Sequence, residues 1–317
     1  MKRLLVLGVL LCAGATAMAA ASFSAQQPPA GQGAAAGQGR GGGRGPGFPP
    51  VGKIEKVADN LYVVPGQGGN TAVYVSGSGV VIVDTKLANN GQAILDQVKS
   101  VSDKPITHII NTHTHGDHTG SNEFFPASVE IVTQENTAAN MKKMPAFQDE
   151  AKKFALPDKT FKDKMTVLGG KDAIDLYYFG AAHTNGDAFV VFRALRAMHA
   201  GDVFATKGLQ LLDANNGGSG VAYPDTIAKA VKGIKNVDTV ITGHSNMTMK
   251  WSDFVDYGEF NRLYLAAARD ALKAGKTPEQ AAADFKLPEK FKDYTVTGGR
   301  GGPGGNFGPI FAELQKK

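Results

Sequence analysis

At 317 residues, with a single cysteine and 20% charged side chains, the chain is long enough for one large domain and has no internal disulfide to staple it. Its net charge of +5 is confined to one end: Lys2, Arg3, Arg40 and Arg44 all precede residue 51, no acid does, and the rest carries 30 basic against 29 acidic groups. A body so nearly neutral gives no electrostatic footprint for nucleic acid or for an anionic membrane surface.

The N-terminus reads as a signal peptide over residues 1–19. Lys2 and Arg3 precede an apolar run from Leu4 to Cys12, and Ala17-Met18-Ala19 has the small-x-small form of a cleavage site. The run is shorter than the ~20 apolar residues of a membrane span, so no stable membrane insertion is expected. Leu11 stands before Cys12, where a lipoprotein would carry a small residue. The mature protein is therefore expected in the periplasm or secreted, and Cys12 would leave with the signal. Residues 20–50 are expected to form a disordered tether, because Gln26 to Pro50 consists largely of Gly, Ala, Gln and Pro and offers little to bury. A body of roughly 265 residues then begins at Val51, a size that suits one domain.

Within the body, Ile54–Val57 and Leu61–Val64 read as short strands. Thr71–Val75 and Val80–Val83 read as a hairpin about Ser76-Gly77-Ser78-Gly79. Ile94, Val98 and Val101 give a helical apolar face after Asn89-Asn90-Gly91. Ile106–Ile110 is a buried strand. Further strands are predicted near Met165–Leu168, Ile174–Tyr178, Phe189–Phe192, Met198–Ala200 and Thr239–Thr242, with helices over Asp225–Ile234, from Phe254 to about Ala274, and after Thr277-Pro278. A Gly-rich segment, 298–308, precedes Ile310 and Phe311, which are expected to dock on the body. Arginine is too sparse in either Gly-rich stretch for a nucleic-acid-binding tail. The order of elements suggests two packed sheets with helices outside.

The chemistry concentrates where the strand Ile106–Ile110 ends, in Asn111-Thr112-His113-Thr114-His115-Gly116-Asp117-His118-Thr119-Gly120. Three of the seven histidines of the chain and one aspartate fall within six positions. Imidazole nitrogen and carboxylate oxygen are the usual donors to zinc and similar divalent ions. Three more polar residues follow strand ends beside glycines: His183 in Gly180-Ala181-Ala182-His183-Thr184, Asp202 in Ala200-Gly201-Asp202, and His244 in Gly243-His244. Of the remaining histidines, His108 lies inside a predicted strand and reads as a packed or surface residue, while His199 precedes the Asp202 turn.

His-x-His-x-Asp-His, then Gly-x-x-His-Thr, Ala-Gly-Asp and Gly-His, in this order, resembles the metallo-β-lactamase superfamily. The resemblance implies an α/β fold, an αββα four-layer sandwich over 51–317, with a dinuclear metal site at one edge. It implies that His113, His115 and His183 hold one ion, that Asp117, His118 and His244 hold the other, and that Asp202 bridges them. Asp84 matches a supporting aspartate of the family and is expected to orient a ligand from behind, with His199 as a second such residue.

A nitrogen and oxygen donor set without cysteine suits two zinc ions per chain, with iron or manganese also compatible. Zinc would provide a nucleophilic hydroxide between the ions near neutral pH, and Asp117 and His244 would stand at the reacting centre, Asp117 accepting or relaying a proton. The expected activity is hydrolysis of a carbonyl-type bond (ester, lactone, lactam or thioester) in a small-molecule substrate. A β-lactamase proper is one alternative, although aspartate rather than cysteine at position 202 resembles glyoxalase II and generic hydrolases of the superfamily. An iron-dependent sulfur dioxygenase is an alternative of another class, and His115 stands where the di-iron oxygen reductases carry glutamate. A nuclease would want a basic groove, and a non-catalytic binding protein would not need so complete a ligand set. Nothing in the sequence sets the substrate or an oligomeric state.

Overall fold

The computed structural model describes residues 47–296 and 304–316. The signal peptide, most of the expected tether and the first part of the Gly-rich segment 298–308 lie outside the described residues. A seven-stranded sheet runs in chain order: β1 (Glu55–Ala58), β2 (Leu61–Val64), β3 (Thr71–Val75), β4 (Val80–Val83), β5 (Ile106–Ile110), β6 (Glu130–Gln134) and β7 (Lys159–Phe161). It is antiparallel as far as β4 and parallel from β4 to β7. A six-stranded sheet has β8 (Lys164–Val167), β9 (Ile174–Tyr177), β10 (Phe189–Phe192), β11 (Ala197–His199), β12 (Thr239–Ile241) and β13 (Met249–Lys250) in sequential neighbourhood. Only its β11–β12 pair is parallel. The helices are α1 (Gly91–Lys99), α2 (Gly116–Thr119), α3 (Glu135–Met141), α4 (Tyr223–Gly233), α5 (Trp251–Lys273), α6 (Pro278–Asp284) and α7 (Phe307–Leu314).

Strand alternation sorts the layers. In β4, Val81 and Val83 join Ile110 and Val132 in packing against Ile174, Leu176, Val190 and Phe192 of the other sheet. Val80 and Ile82 face the opposite way, onto Ile94 and Val98 of α1. On the far side of the second sheet, Phe189, Val191, Met198 and Val240 pack under Ile227 of α4 and Phe254, Tyr257 and Phe260 of α5. Helix, sheet, sheet, helix is the αββα sandwich that the resemblance implies. The C-terminal docking also holds: Phe307, Ile310 and Phe311 of α7 bury against Tyr264, Ala268 and Ala281.

The strands β6 and β7 and the short helix α3 are absent from the sequence-based expectation. Ile131 and Val132 give β6 only two apolar residues between polar ones, and β7 is three residues long. Between Met141 and Leu156 the chain makes two short 3-10 turns, Pro145–Phe147 and Glu150–Ala155. The start of the body also differs. Gly47–Pro50, expected in the tether, lie along the loop after β2: Gln67 donates its backbone N–H to Pro49 O at 2.7 Å, and Gly52 donates to Pro65 O at 2.8 Å. Among the described residues, no helix is long and apolar enough to cross a membrane.

Candidate metal centre

Parallel pairing of β4, β5 and β6 brings Asp84 and the His113–His118 loop to one edge of the first sheet. The loops after β9, β11 and β12 bring His183, Asp202 and His244 to the same edge from the second sheet. Donor atoms of His113, His115, His183 and Asp202 form one group within 4.8 Å, and those of Asp117, His118 and His244 form another. Asp202 stands between them. Its carboxylate is 3.6 Å from His183 Nε2, 3.3 Å from His118 Nε2 and 3.2 Å from His244 Nε2. Asp117 Oδ2 is 3.4 Å from His244 Nε2 and 3.8 Å from His118 Nε2.

Hydrogen bonds on the outer side of the rings decide which nitrogens face inward. His115 Nε2 donates to Asp213 Oδ2 at 2.7 Å, so its Nδ1 is the bare nitrogen. His183 Nδ1 donates to the Leu211 carbonyl at 2.7 Å, so its Nε2 is bare. These two nitrogens lie 2.9 Å apart, and two lone pairs at that distance need a cation between them rather than a hydrogen bond. Burial holds His183 neutral, pushing its pKa down to about 4. Thr112 Oγ1 donates to Asp84 Oδ2 at 2.7 Å and accepts from His113 Nδ1 at 3.0 Å. His113 Nε2 is left buried with no partner, and so is Asp202 Oδ1. An orphaned imidazole nitrogen and an orphaned carboxylate oxygen in one buried cluster carry a large desolvation cost. A divalent cation satisfies both, so the residues fit a metal, and tautomers pinned from behind are what metal-ligating histidines usually show.

The charged groups are strongly coupled. Burial alone would lower the pKa of His118, but Asp202, Asp84 and Asp117 outweigh it and hold it well above the usual value. Burial would likewise raise Asp202, and the neighbouring His118 and His244 keep it well below the carboxylate range.

His199 is placed behind the cluster. Its Nε2 faces the Asn70 carbonyl at 3.0 Å and its Nδ1 accepts from Gly201 N–H at 3.1 Å. Both ring nitrogens are engaged, so it positions the Asp202 turn and has no lone pair to give a metal. His108 is half-buried on β5, 3.9 Å from Glu130.

Several residues near the cluster are absent from the sequence-based reading. Asp213 is one, and its pattern in Asp213-Ala214-Asn215-Asn216 signals only a turn, whose N–H groups at 215 and 216 it caps. Asp187 is another: it accepts from Thr184 N and Oγ1, shaping the loop that carries His183, and burial raises its pKa to about 7. Lys86 is the third. It is fully buried and donates to the carbonyls of Val64 and Gly69. Gly69 in turn donates its N–H to Asp117 O, and any Cβ there would run into the His118 ring.

The family model of the metallo-beta-lactamase superfamily matches residues 64–244. The chain belongs to the metallo-beta-lactamase superfamily. It is 25% identical over 214 residues to "Metallo-beta-lactamase type 2" of Elizabethkingia meningoseptica, a match covering 63% of this chain and 80% of that protein. Its fold is similar to that of the stereoselective inverting sec-alkylsulfatase Pisa1 from Pseudomonas sp., with a TM-score of 0.70 at 15% identity, covering 83% of this chain. The match spans only 50% of the sulfatase chain. The DIM-1 metallo-beta-lactamase superposes with a TM-score of 0.57 at 17% identity, over 68% of this chain and 99% of that one. Superfamily members are metal-dependent hydrolases, and the His113, His115, His183 and Asp202 cluster fits that chemistry.

The cluster opens onto a cleft of about 970 Å³. His115, Asp117, His183, Asp202 and His244 form its floor, and Leu87, Leu211 and Leu212 are among its walls. No lysine or arginine lines it among the described residues.

Proposed function

We propose that this chain is an exported hydrolase that works with two zinc ions and cleaves a carbonyl-type bond in a small, uncharged or weakly charged substrate: an ester, lactone or thioester before a lactam. The observation that carries the reading is the pinning of ring nitrogens described above. Asp213, Leu211 and Thr112 turn three imidazoles so that their bare nitrogens gather with the Asp202 carboxylate within 4.8 Å of one another. Export rests on the charged, apolar and small-residue order of the first 19 positions.

His113, His115 and His183 would hold one ion and Asp117, His118 and His244 the other, with Asp202 shared. Bound zinc supplies Lewis acidity, which polarises a carbonyl and lowers the pKa of water to about 7. The chain's own work is orientation and proton handling. Asp117 lies at the cleft floor with Oδ2 beside His244, placed to accept a proton from an attacking water and return it to the departing group. The walls would hold the substrate's apolar part. A cleft with leucine walls and no cation among its described lining residues favours a neutral acyl group over the carboxylate of a β-lactam or the charge of a sulfate ester.

Zinc-loaded protein assayed on lactones, aryl esters, thioesters, lactams and sulfate esters should turn over the first three groups. Turnover should vanish in the His113→Ala/His115→Ala double variant. Retained activity in that variant would refute the site. One iron per chain with oxygen consumption would replace the hydrolase by an oxygenase, and hydrolysis confined to β-lactams would make it a β-lactamase proper.

A further inference from the structure

The segment ahead of the family-matched region reaches the cleft. Phe48 stacks on His244 with ring centroids 5.6 Å apart and planes 16° from parallel, and it lines the cleft beside Pro49. Its backbone is held on the loop after β2. Gln67 donates its backbone N–H to Pro49 O and its side-chain Nε2 to Phe48 O at 3.3 Å. Gly66, at φ +86°, allows the approach, because a Cβ there would collide with the Pro50 carbonyl. Phe48 nevertheless stays 37% exposed. A phenyl ring fixed by its main chain, resting one face on a candidate ligand and leaving apolar surface open to the cleft, has area left to bury against a substrate. The Leu211 carbonyl holds His183 in the other donor group, and the Leu211 side chain lines the cleft. The donor cluster thus has an apolar residue beside each of its two groups.

We propose that Phe48 is a specificity-determining, substrate-contacting residue: its ring packs against an apolar acyl or aryl group of the substrate and selects for it. The inference rests on the metallo-hydrolase reading for the word substrate, but not for the binding it predicts. Burying a phenyl or a three- to four-carbon chain against an aromatic wall contributes on the order of tenfold in affinity.

The test uses the zinc-loaded full chain and two metal-seeking thiols, 2-mercaptoethanol and 3-phenyl-1-propanethiol, with affinities measured by calorimetry. The wild type should bind the phenyl thiol at least tenfold more tightly. In Phe48→Ala that preference should fall to within threefold, with 2-mercaptoethanol binding and zinc content unchanged, and Phe48→Leu should restore part of it. Should Phe48→Ala lose zinc, the comparison is made on Phe48→Leu against Phe48→Trp, where the preference should rise with the size of the side chain. Equal loss for both thiols, or an unchanged ratio, would overturn the proposal and leave Phe48 as a cap on His244. Because binding is read without turnover, a protein that shows the preference and cleaves no carbonyl substrate would sink the proposed function and keep this inference. Where an ester series is cleaved, kcat/KM should climb with acyl length in the wild type and stay flat in Phe48→Ala, the change falling in KM.

Discussion

Asp84 Oδ2 lies 2.7 Å from His118 Nδ1 and accepts, at the same distance, the hydroxyl of Thr112, which in turn receives His113 Nδ1. One buried carboxylate therefore fixes the orientation of one imidazole in each donor group. It sits just past β4 at φ +64°, a left-handed conformation that is costly for a non-glycine residue and persists where the surroundings over-determine it. Asp84→Asn keeps the shape but offers Thr112 and His118 a group that must donate as well as accept. Zinc affinity, measured by competition with a chromophoric chelator, should fall by about 10- to 100-fold. The thermal transition of the metal-free protein should move much less. An unchanged affinity would mean that the ring orientations are set elsewhere.

Asp213 plays the same part for His115 alone. Burial would raise its pKa, yet the hydrogen bonds from Asn216 and His115 keep it below the usual value, so it is an anion that the imidazole N–H meets. Asp213→Ala should weaken one of the two zinc-binding steps by roughly tenfold and leave the other nearly untouched. Stepwise zinc titration separates the two, and equal weakening of both steps would contradict the pairing.

The donor residues of the cluster are legible because their signals are local. His113 to His118 lie within six residues, and His183, Asp202 and His244 each follow a strand in a glycine-containing turn. The strands β2 to β5 were legible for a similar reason: continuous apolar runs bounded by turns admit few other readings. The residues that orient the cluster were hidden because their partners are distant in the chain. Asp213 meets His115 across 98 positions, and nothing in Asp213-Ala214-Asn215-Asn216 announces more than a turn. Composition groups Phe48 with the Gly- and Pro-rich stretch around it and cannot tell that one phenylalanine returns to a fixed place. Lys86 carries no local signal of its place and is fully buried.

Gly243 precedes His244, and a Cβ on it would meet Asp202 Oδ1 and lie 2.9 Å from the Gly201 carbonyl oxygen. The backbone of Gly201 is itself held against Thr112 at φ +51°, so the carboxylate is the part that must swing. Gly243→Ala should cost about 1–3 kcal/mol of stability through overpacking. It should also cut zinc binding to fewer ions per chain than the wild type holds, read by atomic absorption after dialysis. Full occupancy at wild-type affinity would remove Asp202 from its place between the two groups.

Lys86 gives the fold a dependence on pH. Burial outweighs the pull of Asp84 and brings its pKa down to about 7 from 10.5. The unfolded chain keeps this proton up to about pH 10.5, while the folded chain releases it from about pH 7, so between these values the unfolded state binds the extra proton. Stability due to this group must then rise with pH across that window, by at most about 1.4 kcal/mol per pH unit, and be lost again as pH falls towards 7. The carbonyls of Val64 and Gly69 at 2.7 and 2.9 Å favour the charged form and make the slope shallower. Lys86→Met removes the titrating group and keeps an unbranched side chain in its place. Urea unfolding of metal-free protein at pH 7.5, 8.5 and 9.5 should show the wild type gaining stability over the variant at each step. A difference that is flat or shrinks with pH would mean that Lys86 remains charged in its buried site, held there by the two carbonyls.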